Sequence, residues 1–311
     1  MITETPSGRV RGRVRGAVVA YLGIPYATAA RFEPPQRVRT WPGVRDALVP
    51  GPAAPQGPSR LERVTGLGRR RLAQSEDCLS LNVWTPVEPS SVPRPVLVFF
   101  HGGGYGTGSG GLEWYDGAAL AERGDLVVVT ANYRLGALGF LYVPGVSDGN
   151  LGLLDSLAAL RWVRRGIASF GGDPGAVTVA GQSAGANSIL ALLSGPRARG
   201  LFRHAILQSL PGGMLPQRPE EAGRVGRLFM DVLGLPAEEP GPQENAPSGP
   251  HLAPCVELRE ADPSVLLQAS RELARRTSRP LDAVPPFQLV TDGGELVGVG
   301  VCGGSRHASG A

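Results

Sequence analysis

Lysine is missing from this sequence: all 31 basic side chains in its 311 residues are arginines. Arginine, alanine, glycine and proline are abundant together, as a GC-rich genome's codon habit produces, and the net charge of +4 is read as generic surface. Aromatics are scarce at 6%, and no basic stretch is interleaved with stacking rings, which argues against a nucleic-acid partner. Cysteine is scarcer still. Cys78, Cys255 and Cys302 show no metal-ligand spacing, so no metal is expected and a reduced, cytoplasmic setting fits best. No apolar run reaches the length of a membrane span, and the arginine-bearing start lacks the apolar core of a signal peptide. At 42% hydrophobic, the chain can nonetheless bury a substantial core.

What is present centres on residues 176–195, where the hydrophobic period changes at a single serine. Val177 and Val179 belong to a β-branched run that suits a buried parallel strand, whereas Ile189, Leu190 and Leu193 recur at helical steps before the stop at Gly195-Pro196. Ser183 lies on the turn between them. Such a strand-to-helix turn presents the hydroxyl outward beside the backbone N–H of Ala184, and the helix dipole favours anionic charge there. Gly181 and Gly185 are small because strand and helix pass closely. A second G-x-S-x-G match, at Gly145, Ser147 and Gly149, sits between Pro144 and an Asp-Gly turn, with Asn150 placed to cap the next helix; Ser147 is read as a turn serine.

Around this centre, residues 8–26 alternate charged and apolar positions like a meandering hairpin, and residues 31–58 form a proline-rich surface crossing. Strands are expected at 80–86, 95–100, 126–133 and 204–210, and helices at 150–171, 220–233 and 263–276. In the first helix Leu153, Leu157, Leu160, Val163 and Ile167 make a core-facing stripe. The strand at 95–100 runs into His101-Gly102-Gly103-Gly104-Tyr105, whose glycines let consecutive N–H groups converge on one point. Gly106, Gly108 and Gly111 also satisfy G-x-G-x-x-G, but the strand has already stopped at Phe100 and the nearest acid, Asp125, precedes the next strand, so no dinucleotide cofactor is expected. Alternating strands and helices imply right-handed crossovers and a parallel sheet. Residues 236–262, rich in proline, read as loosely held, and residues 298–311 have no period.

The blocks GIPYA (23–27), SEDCLSLNVWTP (75–86), VFFHGGGY (98–105), YDGAALA (115–121), VVVTANYRLGALGF (127–140), NLGLLDSLAALRWV (150–163), FGGDP (170–174), GQSAGA (181–186) and FRHAILQS (202–209) together resemble the type-B carboxylesterase family. These are α/β-hydrolases that include bacterial carboxylesterases and cholinesterases. The resemblance implies one α/β-hydrolase domain over residues 1–311, a mostly parallel central sheet with flanking helices, incomplete at its C-terminal side. It further implies Ser183 as nucleophile, an oxyanion hole from the N–H groups of Gly103, Gly104 and Ala184, His101 as a scaffold residue, and Ser209 as a buried serine behind the triad. The expected partner is a small-molecule ester, with no nucleic acid and no membrane.

Departures shape the expectation further. Gln182 stands where the family often has glutamate, which counts against cationic substrates, and Cys78 lacks the earlier cysteine with which the family's residue often pairs. Residues 286–298 still resemble the family, but its glutamate and histidine blocks are missing, and a frame error or premature stop near Val297 is the expected cause. Neither a triad acid nor a triad histidine is identified: Glu257, Glu260 and Glu295 lack a strand-end setting, and His307 sits in a glycine-serine tail. The expected function is a serine carboxylic-ester hydrolase of weak activity. The alternatives are an impaired shortened product and a non-catalytic hydrolase-fold binding protein. Strand 204–210 is expected to form an exposed edge through which the chain self-associates.

Overall fold

Seven strands carry the apolar runs in the computed structural model, whose described residues are 1–59, 73–235, 253–277 and 284–294. They are β1 (Arg13–Arg15), β2 (Val18–Pro25), β3 (Ser80–Pro86), β4 (Arg94–Phe100), β5 (Val127–Ala131), β6 (Gly172–Gln182) and β7 (His204–Gln208). Their spatial order is β7-β6-β4-β5-β3-β2-β1. Neighbours from β7 to β5 are parallel, whereas β5–β3, β3–β2 and β2–β1 are antiparallel. The sheet is therefore mixed, not mostly parallel as expected. Its N-terminal half is joined by the short turn at Gly16, which makes antiparallel neighbours, and by a connection between β2 and β3 whose described residues hold only strands of two or three residues.

Alternation along the strands fills both faces. Val18, Ala20 and Leu22 gather with Trp84 and Val128 on one face, under α1 (Ala118–Gly124) and its buried Ala121. Val19, Tyr21, Leu81, Val83, Val96, Val98, Val127 and Val129 belong to the large core on the other. After the short α2 (Gly136–Phe140) comes α3 (Leu151–Gly166), which lines this core with Leu153, Leu157, Leu160 and Val163; the expected stripe is fully buried and runs on to Ile167. Burial of each such leucine is worth about 1.5–3 kcal/mol.

The helix α4 (Ala184–Ser194) packs against β6 and β7. It buries Ile189 and Leu192, whereas Leu193, expected on the same face, is half exposed. The arc packed on β6, β7 and β4 is thus centred one residue earlier than the spacing suggests.

Connections fix where chemistry can happen. From β4 the chain crosses by α1 to β5 on one side, and from β6 it crosses by α4 to β7 on the other. The crevice beyond the carboxyl ends of β4 and β6 is thus a topological switch point, the place where open α/β sheets bind ligands.

Three further helices, α5 (Pro219–Val232), α6 (Ala253–Glu260) and α7 (Pro263–Thr277), complete the described chain. Phe229 of α5 meets Phe287 edge-on at 5.2 Å, and Leu289 pairs with Gln217 through the backbone. Asn150 begins α3 in a left-handed conformation, but its side chain does not cap that helix. It bonds Val290 instead, donating to the carbonyl at 2.7 Å and accepting from the N–H at 2.9 Å.

The proline-rich stretch at 236–262 is corrected over its last third. Residues 253–260 are helical, because Leu258 is fully buried and Arg259 reaches Glu33 at 2.8 Å and the Arg31 carbonyl at 3.1 Å. Residues 236–252 and 298–311, with Glu295, Cys302 and His307, lie outside the described residues.

Candidate active site

Ser183 stands between the last residue of β6 and the first of α4, with φ 54° and ψ −117°. This backbone is costly for a residue with a Cβ and persists only where its surroundings enforce it. The surroundings are visible. A Cβ on Gly181 would lie 2.6 Å from the Gly185 carbonyl carbon, and one on Gly185 would lie 2.2 Å from the Phe100 carbonyl oxygen and 2.7 Å from that of His101. Strand and helix are therefore as close as the glycine spacing suggests, and Gly185 additionally abuts the end of β4. Gln208 at the end of β7 accepts the Ser183 N–H at 2.9 Å.

The glycine loop leaves β4 directly against this turn. A Cβ on Gly102 would meet Gln182 Oε1 at 2.3 Å and its backbone oxygen at 2.8 Å. Gly103 and Gly104 follow with φ of 119° and 60°, backbones that favour glycine. The Gly103 carbonyl accepts the N–H groups of Gly106 and Thr107, each at 3.1 Å, so the loop folds back on itself. In this fold-back Gly106 and Gly108 serve the loop and do not open a helix. Ser147, the rival serine, is buried in the two-residue strand Ser147–Asp148, and its Oγ accepts the Gly149 N–H.

Support comes from the segment after β5. Tyr133 donates its hydroxyl to the His101 carbonyl at 2.7 Å and stacks on the His101 ring at 4.4 Å. Asn132 Oδ1 accepts from Ser109 Oγ and the Gly110 N–H, and the Tyr105 carbonyl accepts the Gly136 N–H. Arg134 is held by Asp155 of α3 through its backbone N–H, Nε and a terminal nitrogen at 2.7–3.0 Å, with both side chains buried. Burial pushes the Asp155 carboxyl above the usual carboxylate range, while the guanidinium and these hydrogen bonds pull against it. These supports were missed in the sequence, although a carboxylate flanked by leucines in a core-facing helix signals a buried partner.

His101 is not placed as a base. It is buried, its Nδ1 donates to the Gly102 carbonyl at 2.8 Å, and burial lowers its pKa to about 4 against that hydrogen bond, so the ring is neutral. His204 is exposed at the start of β7. Among the described residues the Ser183 hydroxyl has no hydrogen-bond partner. Glu257 and Glu260 are exposed on α6, away from any strand end. Ser209, expected to be buried, is exposed at the end of β7, because no described strand lies beyond that edge. Among the described residues no cluster of three or more His, Cys, Asp or Glu is arranged to hold a metal, and no helix is long and apolar enough to cross a membrane.

Cys78, just before β3, is fully buried, and burial first, then the nearby Asp155 carboxylate, pushes its thiol up to about 12. Such a thiol is inert. Iodoacetamide at pH 8, followed by peptide mass analysis, is expected to leave Cys78 unmodified in the folded chain and to alkylate it fully in urea. Modification of the folded chain at an unfolded thiol's rate would contradict this.

With the site assembled, comparison with known proteins is decisive: a Carboxylesterase family model matches residues 1–285. The chain belongs to that family. It is 50% identical over 234 residues to a protein named Probable N-octanoylanthranilate hydrolase AqdA2 of Rhodococcus erythropolis, covering 74% of this chain and 50% of the relative. It is 44% identical over 241 residues to the para-nitrobenzyl esterase of Bacillus subtilis strain 168, covering 75% and 48%. A solved thermophilic PNB esterase superposes with a TM-score of 0.83 at 38% identity, covering 95% of this chain and 58% of that one, so the fold is that of an α/β-hydrolase. The carboxylesterase chain thus spans about half the length of the curated relatives it matches.

Proposed function

We propose that this carboxylesterase-family chain carries the nucleophile and the oxyanion hole of a serine carboxylic-ester hydrolase. The observation that supports this best is the contact on both flanks of Ser183, where Gly102 packs on Gln182 and Gly185 packs on the carbonyls of Phe100 and His101. Those contacts bring the glycine loop and the α4 N-terminus to one spot beside the serine hydroxyl. Ser183 Oγ attacks the ester carbonyl carbon, and the electron pair moves onto the carbonyl oxygen. The N–H groups of Gly103, Gly104 and Ala184 receive that charge, one such donor being worth about 10²–10³ in rate. Collapse expels the alcohol and leaves an acyl-serine, which water cleaves to the acid. Gln182 puts no negative charge beside the nucleophile, which favours uncharged esters; the name para-nitrobenzyl esterase carried by one relative agrees. The cytoplasmic setting inferred from the sparse cysteines belongs to the same reading.

The Ser183 proton needs a base, and no described histidine or carboxylate touches that hydroxyl. The 311-residue chain is therefore expected to hydrolyse short-chain p-nitrophenyl esters at no more than about 10³–10⁴ over water, the level left when a triad is incomplete. Reaction with a fluorophosphonate probe tests the nucleophile itself. A chain that takes up no probe and releases no p-nitrophenol above buffer would overturn the reading.

A partner surface accompanies it. β7 forms the edge of the seven-stranded sheet, with Ile206 nearly half exposed. Open apolar edges invite strand pairing between copies. Sedimentation of the 311-residue chain is expected to show dimers or larger species, reduced by Ile206→Lys; a monomer across the micromolar range would refute this.

A further inference from the structure

Gln56 lies between β2 and β3, far in sequence from the glycine loop, yet its carboxamide is clamped on that loop's backbone. Nε2 donates to the Gly108 carbonyl at 2.8 Å, and Oε1 accepts the Gly108 N–H at 2.7 Å. Nε2 also donates to the Ala54 carbonyl at 3.0 Å, so the orientation of the amide is set by three partners. The backbone beneath it is held as well: the Gln56 N–H donates to Gln74 Oε1 at 3.0 Å, and Ala53 exchanges hydrogen bonds with Ala73 and Ser75. A rigid platform therefore presents one donor and one acceptor to one residue of the loop.

Gly108 is where that clamp matters. Its φ is 116°, and a Cβ there would lie 2.4 Å from His101 Nδ1 and 2.6 Å from the Gly102 carbonyl oxygen, so its backbone rests on the base of the loop. The preceding residue, Thr107, lies against Gly103: a Cβ on Gly103 would be 2.0 Å from the Thr107 carbonyl oxygen, and Thr107 donates its N–H to the Gly103 carbonyl. A shift at Gly108 is passed directly to Gly103.

We propose that Gln56 is a positioning residue for the oxyanion hole: by fixing Gly108 it sets where the Gly103 and Gly104 amides stand relative to Ser183. This rests on the reading of those two amides as oxyanion donors. Gln56 touches no reacting atom and acts only through the loop. Catalysis by preorganised donors is sensitive to such placement, since a displacement of about 1 Å costs on the order of 10²-fold.

Two variants of the 311-residue chain separate positioning from mere packing. Gln56→Met keeps the bulk and removes both hydrogen bonds to Gly108 together with the one to the Ala54 carbonyl. Gln56→Glu reproduces both only when the introduced carboxyl is protonated; once ionised, it turns an acceptor towards the Gly108 carbonyl. Hydrogen–deuterium exchange of the peptide spanning residues 101–108 is read against β4 and α4 peptides as internal references. In Gln56→Met the amides of Gly106, Thr107 and Gly108 are expected to exchange at least about tenfold faster, with the references unchanged. In Gln56→Glu the ratio to wild type should be near one at pH 4, where a carboxyl of ordinary pKa about 4.3, held up further by the hydrogen bond its neutral form donates, is mostly protonated, and should rise to the Gln56→Met value by pH 7.5. With p-nitrophenyl butyrate, Gln56→Met should lower kcat about tenfold or more and leave KM within about twofold, as expected for donors that act in the transition state. Loop exchange that is unaltered in Gln56→Met, or a Gln56→Glu ratio independent of pH, would overturn the proposal. Ser183→Ala stands apart as the control for the esterase reading: p-nitrophenol release equal to wild type would defeat that reading, and the exchange comparison would still decide the role of Gln56.

Discussion

Replacing Ser183 with alanine is expected to abolish covalent labelling by a fluorophosphonate probe, whereas Ser147→Ala should label at the wild-type rate. The two serines sit in identical G-x-S-x-G patterns, so composition cannot distinguish them. Their settings can. Ser183 is partly exposed on a turn with positive φ, next to the N-terminus of an eleven-residue helix and to the glycine loop. Ser147 is 4% exposed, and its oxygen already accepts the Gly149 N–H. Phosphonylation builds negative charge on the phosphoryl oxygen, which only the first setting provides with donors. Mass analysis of the labelled peptide locates the adduct. An adduct that persists in Ser183→Ala, on any serine, would show that the turn is not the reactive centre.

The part of this arrangement legible beforehand was the part carried by local rules. The change from a period of two to a helical period at Ser183, the glycines two residues to either side, and the leucine stripe of α3 each follow from a backbone or packing demand within a few residues. Family resemblance supplied the roles proposed for Gly103, Gly104 and Ala184. What stayed hidden depends on contacts made across the fold. The Gln56 clamp spans 52 residues and the Asn150–Val290 pair spans 140, and no local period reports either. The antiparallel pairing of β3 with β5 and β2 was hidden likewise, because strand direction follows from the length of connections and not from strand composition, whereas the β1–β2 hairpin falls within the meander read at residues 8–26. The short helix Ala253–Glu260 was misread because the prolines before it and Pro254 within it suggested looseness, whereas one buried leucine and an arginine bonded to Glu33 hold it in place.

Removing the guanidinium of Arg134 is the other change expected to have a large effect. Asp155 is completely buried in α3; all three of its hydrogen bonds come from Arg134, two of them, with the counter-charge, from the guanidinium. Arg134 also donates to the Glu33 carbonyl at 2.7 Å, so it ties α3 and the segment after β5 to the N-terminal crossing. Breaking a buried pair from one side leaves an uncompensated charge, and Arg134→Met should therefore destabilise the chain by about 3–5 kcal/mol. The sign of the pH dependence follows. Without the guanidinium, only the backbone N–H of residue 134 still opposes burial at the Asp155 carboxyl, and its folded pKa rises further above the unfolded value. The native variant then binds more protons than the unfolded one, so its stability is fully present below the ordinary carboxylate range and is lost as pH rises through the raised folded pKa. Urea midpoints should accordingly fall further below wild type at pH 8 than at pH 5. Adding Asp155→Asn removes the stranded charge while keeping an acceptor for the Arg134→Met backbone N–H, and it should recover more than half of the loss at pH 8. A loss under about 1 kcal/mol, well short of what an uncompensated buried charge costs, or an equal loss at both pH values, would mean that water reaches Asp155 and that the pair is not the keystone of this loop.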